Sequence, residues 1–307
     1  MIVSVSRRTD IPAFYVEWFM QRIKEGFCYV PNPFNPRDIS RVDLSPENVD
    51  LFVFWTKNPT PLLPYLTELE QRGYSYYFNI TANGYHTFLE PNVPDVAEID
   101  KAIGKLCDKI GPDKIFWRYD PIILTNVTNI DFHKRNFELL AKRFANRSQR
   151  IIVSIYDSYP FTDRNISKLN KIGVSFSKEE NSQELIRPLL RFMSEIANSY
   201  NRQIYSCAEA TDFTNEGVLP GKCIDEKYIK EFLGIDLRGV KDPGQRRECG
   251  CIRSKDIGIY NTCLHRCVYC YASKSYEDVK LNVARHNKNA SILIGECSQE
   301  EFQGKLF

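Results

Sequence analysis

The chain has 307 residues, 43% of them hydrophobic and 26% charged, with 41 basic against 39 acidic side chains. That apolar content supports a sizeable core and excludes disorder, collagen and coiled coil; no run approaches the ~18 apolar residues of a membrane span, and a net charge of +2 leaves a polyanionic partner open. Arg7, Arg8 and Asp10 stand where a secretory apolar run would have to be, so the ten cysteines are expected in a reducing cytoplasm, where clustered thiols are metal ligands or redox groups before they are disulfides.

Up to about residue 235 a two-part unit recurs, a short β-rich apolar run and then a helical pattern. Residues 2–6 form the first run. Val16, Phe19, Met20 and Ile23 follow with helical spacing, and Gly26 supplies the stop. Residues 51–56, 76–81 and 115–119 are the next three strands. Asp131 is expected to cap a helix whose core stripe is Phe137, Leu140, Ala141 and Phe144, with His133 on a solvated face. Residues 151–156 make the fifth strand, and Pro188 starts or kinks the helix after it. Residues 203–206 are the sixth, before a helix opened by Asp225 and ended at Gly234. The runs are rich in Val, Ile, Phe and Tyr without clean alternation, as expected of parallel strands covered on both faces.

About one βα unit per ~40 residues fits right-handed crossovers, in either an open doubly wound sheet or a partial (βα)6 TIM-like barrel. Polar residues bunch at all six strand ends: Arg7, Arg8 and Asp10; Trp55, Thr56, Lys57 and Asn58; Asn79 and Thr81; Arg118 and Asp120; Asp157; Cys207 and Glu209. Catalytic groups of α/β barrels come from the C-terminal ends of several strands, so the expected fold is a partial α/β barrel over residues 1–235. Residues 236–307 lose the periodic apolar pattern and read as a cysteine-rich segment and tail packed on the barrel mouth.

Cys263-Leu264-His265-Arg266-Cys267-Val268-Tyr269-Cys270 carries the sharpest signal. Three thiolates spaced C-x3-C-x2-C on one loop suit three corners of a [4Fe-4S] cluster and leave one iron open, as catalytic metal sites do. A tetrahedral zinc site using Cys249, Cys251 and two of the triplet, or including His265, is the competing reading. Cys207, Cys223, Cys249 and Cys251 are close enough in sequence to form a second site, either zinc or an auxiliary iron–sulfur cluster. Cys28, Cys107 and Cys297 stand singly in helical or tail patterns and read as core or surface thiols.

The triplet, with an aromatic just before its last cysteine, resembles the cluster motif of the radical S-adenosylmethionine (SAM) superfamily, whose members also use a partial (βα)6 barrel. Tyr271-Ala272, Trp55-Thr56-Lys57 and Arg118-Tyr119-Asp120-Pro121 are most similar to the spore photoproduct lyase-like branch. The whole chain, from Ser6-Arg7-Arg8-Thr9-Asp10 onward, resembles an uncharacterised bacterial family with such a cluster at its C-terminal end. Two features depart from the superfamily pattern. Its motif follows the first strand, whereas here the triplet arrives after all six units; and no Gly-Gly dipeptide exists to hold the SAM amino group, Lys57-Asn58-Pro59 standing instead.

The resemblance implies a radical enzyme that cleaves SAM reductively, with flavodoxin or ferredoxin as electron donor. Cys263, Cys267 and Cys270 would hold the cluster, and Thr56, Lys57, Asn58, Asn79, Thr81 and Tyr269 would line the SAM. Arg7, Arg8, Lys57 and Arg118 offer positive charge for a carboxylate or phosphate of a small or nucleotide-like substrate, while Asp10, Asp120, Asp157 and Glu209 offer acceptors for an amine or ribose. Two other classes remain open: an iron–sulfur redox protein without SAM, and a zinc-stabilised nucleic-acid-binding barrel using Lys274, Lys280, Arg285, Lys288 and stacking tyrosines. No membrane partner is expected. Walker A, Gly-x-Gly-x-x-Gly and Gly-x-Ser-x-Gly signatures are absent.

Overall fold

A computed structural model describes residues 1–176, 183–237 and 239–296. The chain opens with β1 (Ile2–Val5), the single-turn α1 (Ile11–Phe14) and α2 (Val16–Glu25). Helix α2 ends where Gly26 takes φ 76° and its N–H reaches the Arg22 carbonyl, a left-handed cap that glycine adopts without Cβ strain. A hairpin follows, β2 (Phe27–Pro31) with β3 (Ile39–Asp43), antiparallel and separate from the main sheet. Cys28 lies in this hairpin, buried in a strand rather than in a helical or tail pattern.

Then come β4 (Leu51–Thr56), α3 (Leu66–Gln71), β5 (Tyr76–Thr81), α4 (Val96–Ile110), β6 (Ile115–Ile122) and α5 (Ile130–Phe144). Asn129, not Asp131, caps α5, accepting from the Phe132 N–H; Asp131 sits in the first turn, where its charge favours the helix dipole. His133 is fully buried rather than solvated, its ring 2.7 Å from the Tyr119 hydroxyl and 3.0 Å from the Ile123 carbonyl. The last part holds β7 (Arg150–Ile155), α6 (Pro160–Ser167), α7 (Gln183–Ser199), β8 (Gln203–Cys207), β9 (Leu219–Gly221), α8 (Glu226–Leu233), β10 (Lys255–Asp256) and α9 (Tyr276–Val283). Pro188 falls in the second turn of α7, so the helix starts five residues before it. Cys297 lies outside the described residues.

One eight-stranded sheet runs in the order β10-β1-β4-β5-β6-β7-β8-β9, and every neighbouring pair is parallel. From β1 to β9 the main strands therefore stand side by side in chain order, with no reversal of direction across the sheet. The fold is mixed α/β with a large parallel sheet.

The two faces of this sheet differ. Val3, Val5, Phe52, Phe54, Phe78, Ile80, Trp117 and Val153 point to a core shared with residues of α2, α3, α4, α5 and α7. Fully burying one such side chain contributes about 1.5–3 kcal/mol, so this is the main stabilising layer. The opposite face carries a smaller core, in which Ile2, Leu51, Val53, Tyr77, Phe116 and Ile152 meet Tyr228 and Ile229 of α8 and the thiols of Cys223, Cys249 and Cys251. Nearer the C-terminal strand ends that second face turns polar.

The region after residue 235 is tied into both layers. Ile257, Leu293 and Ile294 join the main core, and Ile292 bridges to Tyr29 of β2. Trp18 and Arg22 of α2 donate to the Ala290 and Asn289 carbonyls. Among the described residues no helix is long and apolar enough to cross a membrane.

Candidate functional site

The cysteine triplet is positioned by β10. Its Asp256 carboxylate accepts from Ser4 Oγ at 2.9 Å, Ser6 Oγ at 2.6 Å, Arg7 N at 2.8 Å and Gly258 N at 2.9 Å, which locks the short strand against β1. The following loop is pinned at several points: Tyr15 Oη to the Thr262 carbonyl at 2.6 Å, Asn92 Nδ2 to the Leu264 carbonyl at 2.8 Å, and Val268 N to the Leu89 carbonyl at 2.9 Å. His265 is buried between two acceptors, Asp10 Oδ2 at 2.8 Å and the Asn92 carbonyl at 3.2 Å.

Cys263, Cys267 and Cys270 are partly buried free thiols on this loop. Burial pushes Cys263 up to about 12 and raises Cys267 and Cys270, while the Lys57 ammonium pulls the latter two back. Backbone N–H groups of His265 and Asp10 are directed at the Cys263 sulfur, and those of Ala272 and Ser273 at Cys270. Such donors stabilise sulfur as thiolate and are the kind that tune iron–sulfur clusters. Three thiols on one pinned loop, with N–H groups and an ammonium beside them, are a donor set whose chemistry fits a thiolate-ligated group.

Beside the triplet lies a buried polar knot. Lys57 Nζ is 2.7 Å from Glu90 Oε1 and 3.1 Å from the Tyr269 hydroxyl, which also donates to Glu90. Asn83 Nδ2 reaches Glu90 at 3.2 Å and the Asp120 carbonyl at 2.9 Å. Burial works against the Lys57 charge, but Glu90 and Cys267 outweigh it and keep the ammonium protonated above its ordinary range.

Deeper on the same face, Cys207 from β8 meets Cys223, Cys249 and Cys251. Cys207 Sγ and Cys223 Sγ are 3.2 Å apart, and Cys251 Sγ accepts from Ile224 N at 3.3 Å. Cys251 is held far below the usual thiol range, chiefly by Cys223 and Cys249 thiols bonded to it, with Arg7 adding to the effect. Arg118 donates to Cys223 and to Asp120, and Ser154 donates to the other Asp120 oxygen. The guanidiniums of Arg7 and Arg118 both lie over the Trp55 ring, at 4.8 and 5.2 Å from its centre. Burial opposes the Arg7 charge, but Cys251, Asp256 and Cys223 together raise its pKa.

Three side chains on this face keep unpartnered buried polar atoms, Asn79 on both amide atoms, Trp55 at Nε1 and Arg7 at Nη2; Thr9 Oγ1, between β1 and α1, is unpartnered too. Trp55 and Asn79 are register neighbours on β4 and β5. Each unsatisfied buried polar group costs about 1–3 kcal/mol, so a polar ligand placed against them would recover that energy.

Other candidate residues have structural partners. Asp10 caps α1 through Ala13 N and also accepts from Lys57 N at 2.7 Å. Thr56 and Asn58 shape the turn after β4, accepting from Asn58 N and Thr60 N. Thr81 is half-buried beside Arg118. Arg8 reaches the Gly258 carbonyl at 3.3 Å and lies over the Tyr260 ring. Asp157 pairs with Arg246 at the surface. Glu209 accepts from Ile155 N at 2.8 Å, and burial pushes its carboxyl up to about 7. In the tail, Lys280 and Lys288 are paired with Glu277 and Glu17. Among the described residues no three His, Cys, Asp or Glu side chains are set around a common point for one ion.

A family model described as "Domain of unknown function (DUF1848)" matches residues 2–272, nearly the whole described chain. The chain belongs to the DUF1848 family. The match ends two residues past Cys270, so the DUF1848 region takes in β1, β10, both cysteine groups and the polar knot. No curated protein matches the chain. Among solved structures, it is similar to the crystal structure of a proposed alpha-L-fucosidase from Bacteroides thetaiotaomicron VPI-5482. That likeness has 12% identity, covers 77% of this chain and 84% of that one, and has a TM-score of 0.24, too low to support any argument.

Glu90, Asn83 and Asp256 belong to the site but were not expected from the sequence. Glu90 and Asn83 lie between β5 and α4 with no periodic pattern around them, and Asp256 sits in a two-residue strand. The one available signal was a carboxylate leading a short apolar run, Asp256-Ile257-Gly258-Ile259, just upstream of the triplet.

Proposed function

We propose that this chain is an iron–sulfur enzyme of the radical SAM type, with Cys263, Cys267 and Cys270 holding a [4Fe-4S] cluster whose fourth iron is left for SAM. The observation that carries the reading is the arrangement of these three thiols on one pinned loop, with backbone N–H groups aimed at two of the sulfurs and Lys57 beside them. When bound, the two cofactors supply one-electron reductive cleavage of a sulfonium and hence a radical that removes a substrate hydrogen atom.

The sheet is read as a partial (βα)6 barrel. Two features support this: the strands keep chain order, whereas doubly wound sheets reverse at a switch point, and α2, α3, α4, α5 and α7 all pack on one face, leaving the other as the interior. Residues 236–307 are read as the segment that brings the cluster ligands to the mouth. Strand β10 stands before β1 in the sheet, so the triplet follows the spatially first strand although it comes late in the chain. This placement supports the reading, since the superfamily motif follows the first strand.

In this reading the chain's own residues bind and orient. Lys57, held by Glu90 and Tyr269, offsets negative charge at the thiolates. The unpartnered polar atoms of Asn79, Trp55 Nε1 and Arg7 Nη2 would hold a small polar ligand, a carboxylate with an amine or hydroxyl. The test is anaerobic incubation with dithionite and SAM. Formation of 5′-deoxyadenosine by the wild type and its loss in Cys267→Ala is the expected result; a cluster-bearing protein that forms none would instead be a redox protein without SAM.

A further inference from the structure

We infer that Cys207, Cys223, Cys249 and Cys251 form a tetrathiolate site for one zinc ion, distinct from the Cys263–Cys267–Cys270 loop and independent of whether that loop holds a cluster. The four cysteines come from three places, the end of β8, the turn before α8 and the loop before β10, and the fold gathers them on one face of the sheet. Their sulfurs form a chain of close contacts: Cys207 with Cys223 at 3.2 Å, Cys223 with Cys251, and Cys251 with Cys249.

Distance separates this group from the triplet. Four sulfurs each about 2.3 Å from one tetrahedral zinc stand about 3.8 Å from one another, and Cys207 and Cys223 stand at 3.2 Å here. Ligands of a cubane cluster bind separate irons, so their sulfurs do not touch, and among the described residues no sulfur–sulfur hydrogen bond joins the triplet. The 3.2 Å approach is also far longer than the ~2.05 Å of a disulfide, and all four cysteines are free. In this structure the four sulfurs make a chain of contacts and are not set around one point, so zinc binding would draw them together.

Charge favours the same assignment. Zinc binding displaces the thiol protons, and four thiolates around a divalent ion carry two net negative charges. Two guanidiniums face them, Arg118 donating to Cys223 and Arg7 close to Cys251 and Cys223. Tyr77 Oη adds a 2.6 Å bond to the Cys223 carbonyl, fixing the ligand-bearing turn, and Ile224 N donates to Cys251. Such a site would fasten α8 and its flanking loops onto the interior face.

The full chain, purified anaerobically, is tested by metal analysis and by X-ray absorption at the zinc edge. One zinc per chain with four sulfurs at about 2.3 Å is expected. The variant Cys263→Ala/Cys267→Ala/Cys270→Ala should keep that zinc while losing iron, and Cys107→Ser should keep both. Cys249→Ser should lose zinc; if it does not fold, the absorption spectrum of the wild type decides alone. Iron in the triplet variant, a Cys207–Cys223 disulfide, or four free thiols with no zinc would each overturn the assignment.

Discussion

His265 Nε2 lies 2.8 Å from Asp10 Oδ2, joining the cap of α1 to the middle of the cysteine loop across 255 positions of chain. Asp10 also caps α1 and accepts the Lys57 N–H, so one buried carboxylate fixes β1, β4 and the loop together. Asp10→Ala removes an N-cap and leaves two buried donors unpaired, for a total of about 3 kcal/mol or more. Urea unfolding should show this as a lowered midpoint, and reconstituted iron should fall with it. An unchanged midpoint would contradict this role for Asp10.

Acid sensitivity should reside in His133. Burial lowers its pKa to about 4 from an unfolded value of 6.5. The unfolded chain therefore binds a proton that the folded chain refuses, and stability falls as pH drops from about 6.5 to about 4, then stops falling on this account. The contribution is about 3 kcal/mol over that window. The difference between wild type and His133→Gln, measured by denaturation at pH 4, 6 and 8, should shrink by that amount toward acid. A pH-independent difference would show that burial does not set the histidine's titration.

The pair of Lys57 and Glu90, 2.7 Å apart and buried, is predicted to be strongly coupled. Removing one charge leaves the other unpaired in the interior at a cost of about 3–5 kcal/mol. Lys57→Met and Glu90→Gln should each destabilise by about that much, and the double variant by clearly less than their sum. Additive losses in a double-mutant cycle would refute the coupling.

Gly258 tests the docking of β10. A Cβ built there would meet Ser6 Oγ at 2.0 Å and Ser6 Cβ at 2.7 Å, and no flexible chain end is available to yield. Gly258→Ala should cost about 1–3 kcal/mol and displace the loop that follows, lowering metal uptake by the triplet. Retained stability and uptake would mean that the close approach to Ser6 is not needed.

The six main strands were legible because Val, Ile, Phe and Tyr cluster in short runs wherever both sheet faces are covered, and residues 51–56 and 76–81 coincide with β4 and β5. The β2–β3 hairpin was not, since Ser40, Arg41 and Asp43 dilute its pattern. Nor was β10, where two charged residues hold their place through Asp256 and its four donors rather than through apolar packing. His133 looked like a surface residue because its partner Tyr119 belongs to another element. Side-chain type marked the cysteines. The knot of Glu90, Asn83 and Tyr269 depends on contacts between distant segments that no local pattern records.

The central claim, that Cys263, Cys267 and Cys270 hold a [4Fe-4S] cluster with one open iron, is tested most directly by electron paramagnetic resonance of the anaerobic, dithionite-reduced protein with and without SAM. The account predicts a reduced-cluster signal that shifts when SAM is added and disappears in Cys267→Ala, with Cys107→Ser unchanged. A signal that persists in Cys267→Ala, or a reconstituted protein with no iron at the triplet, would contradict it.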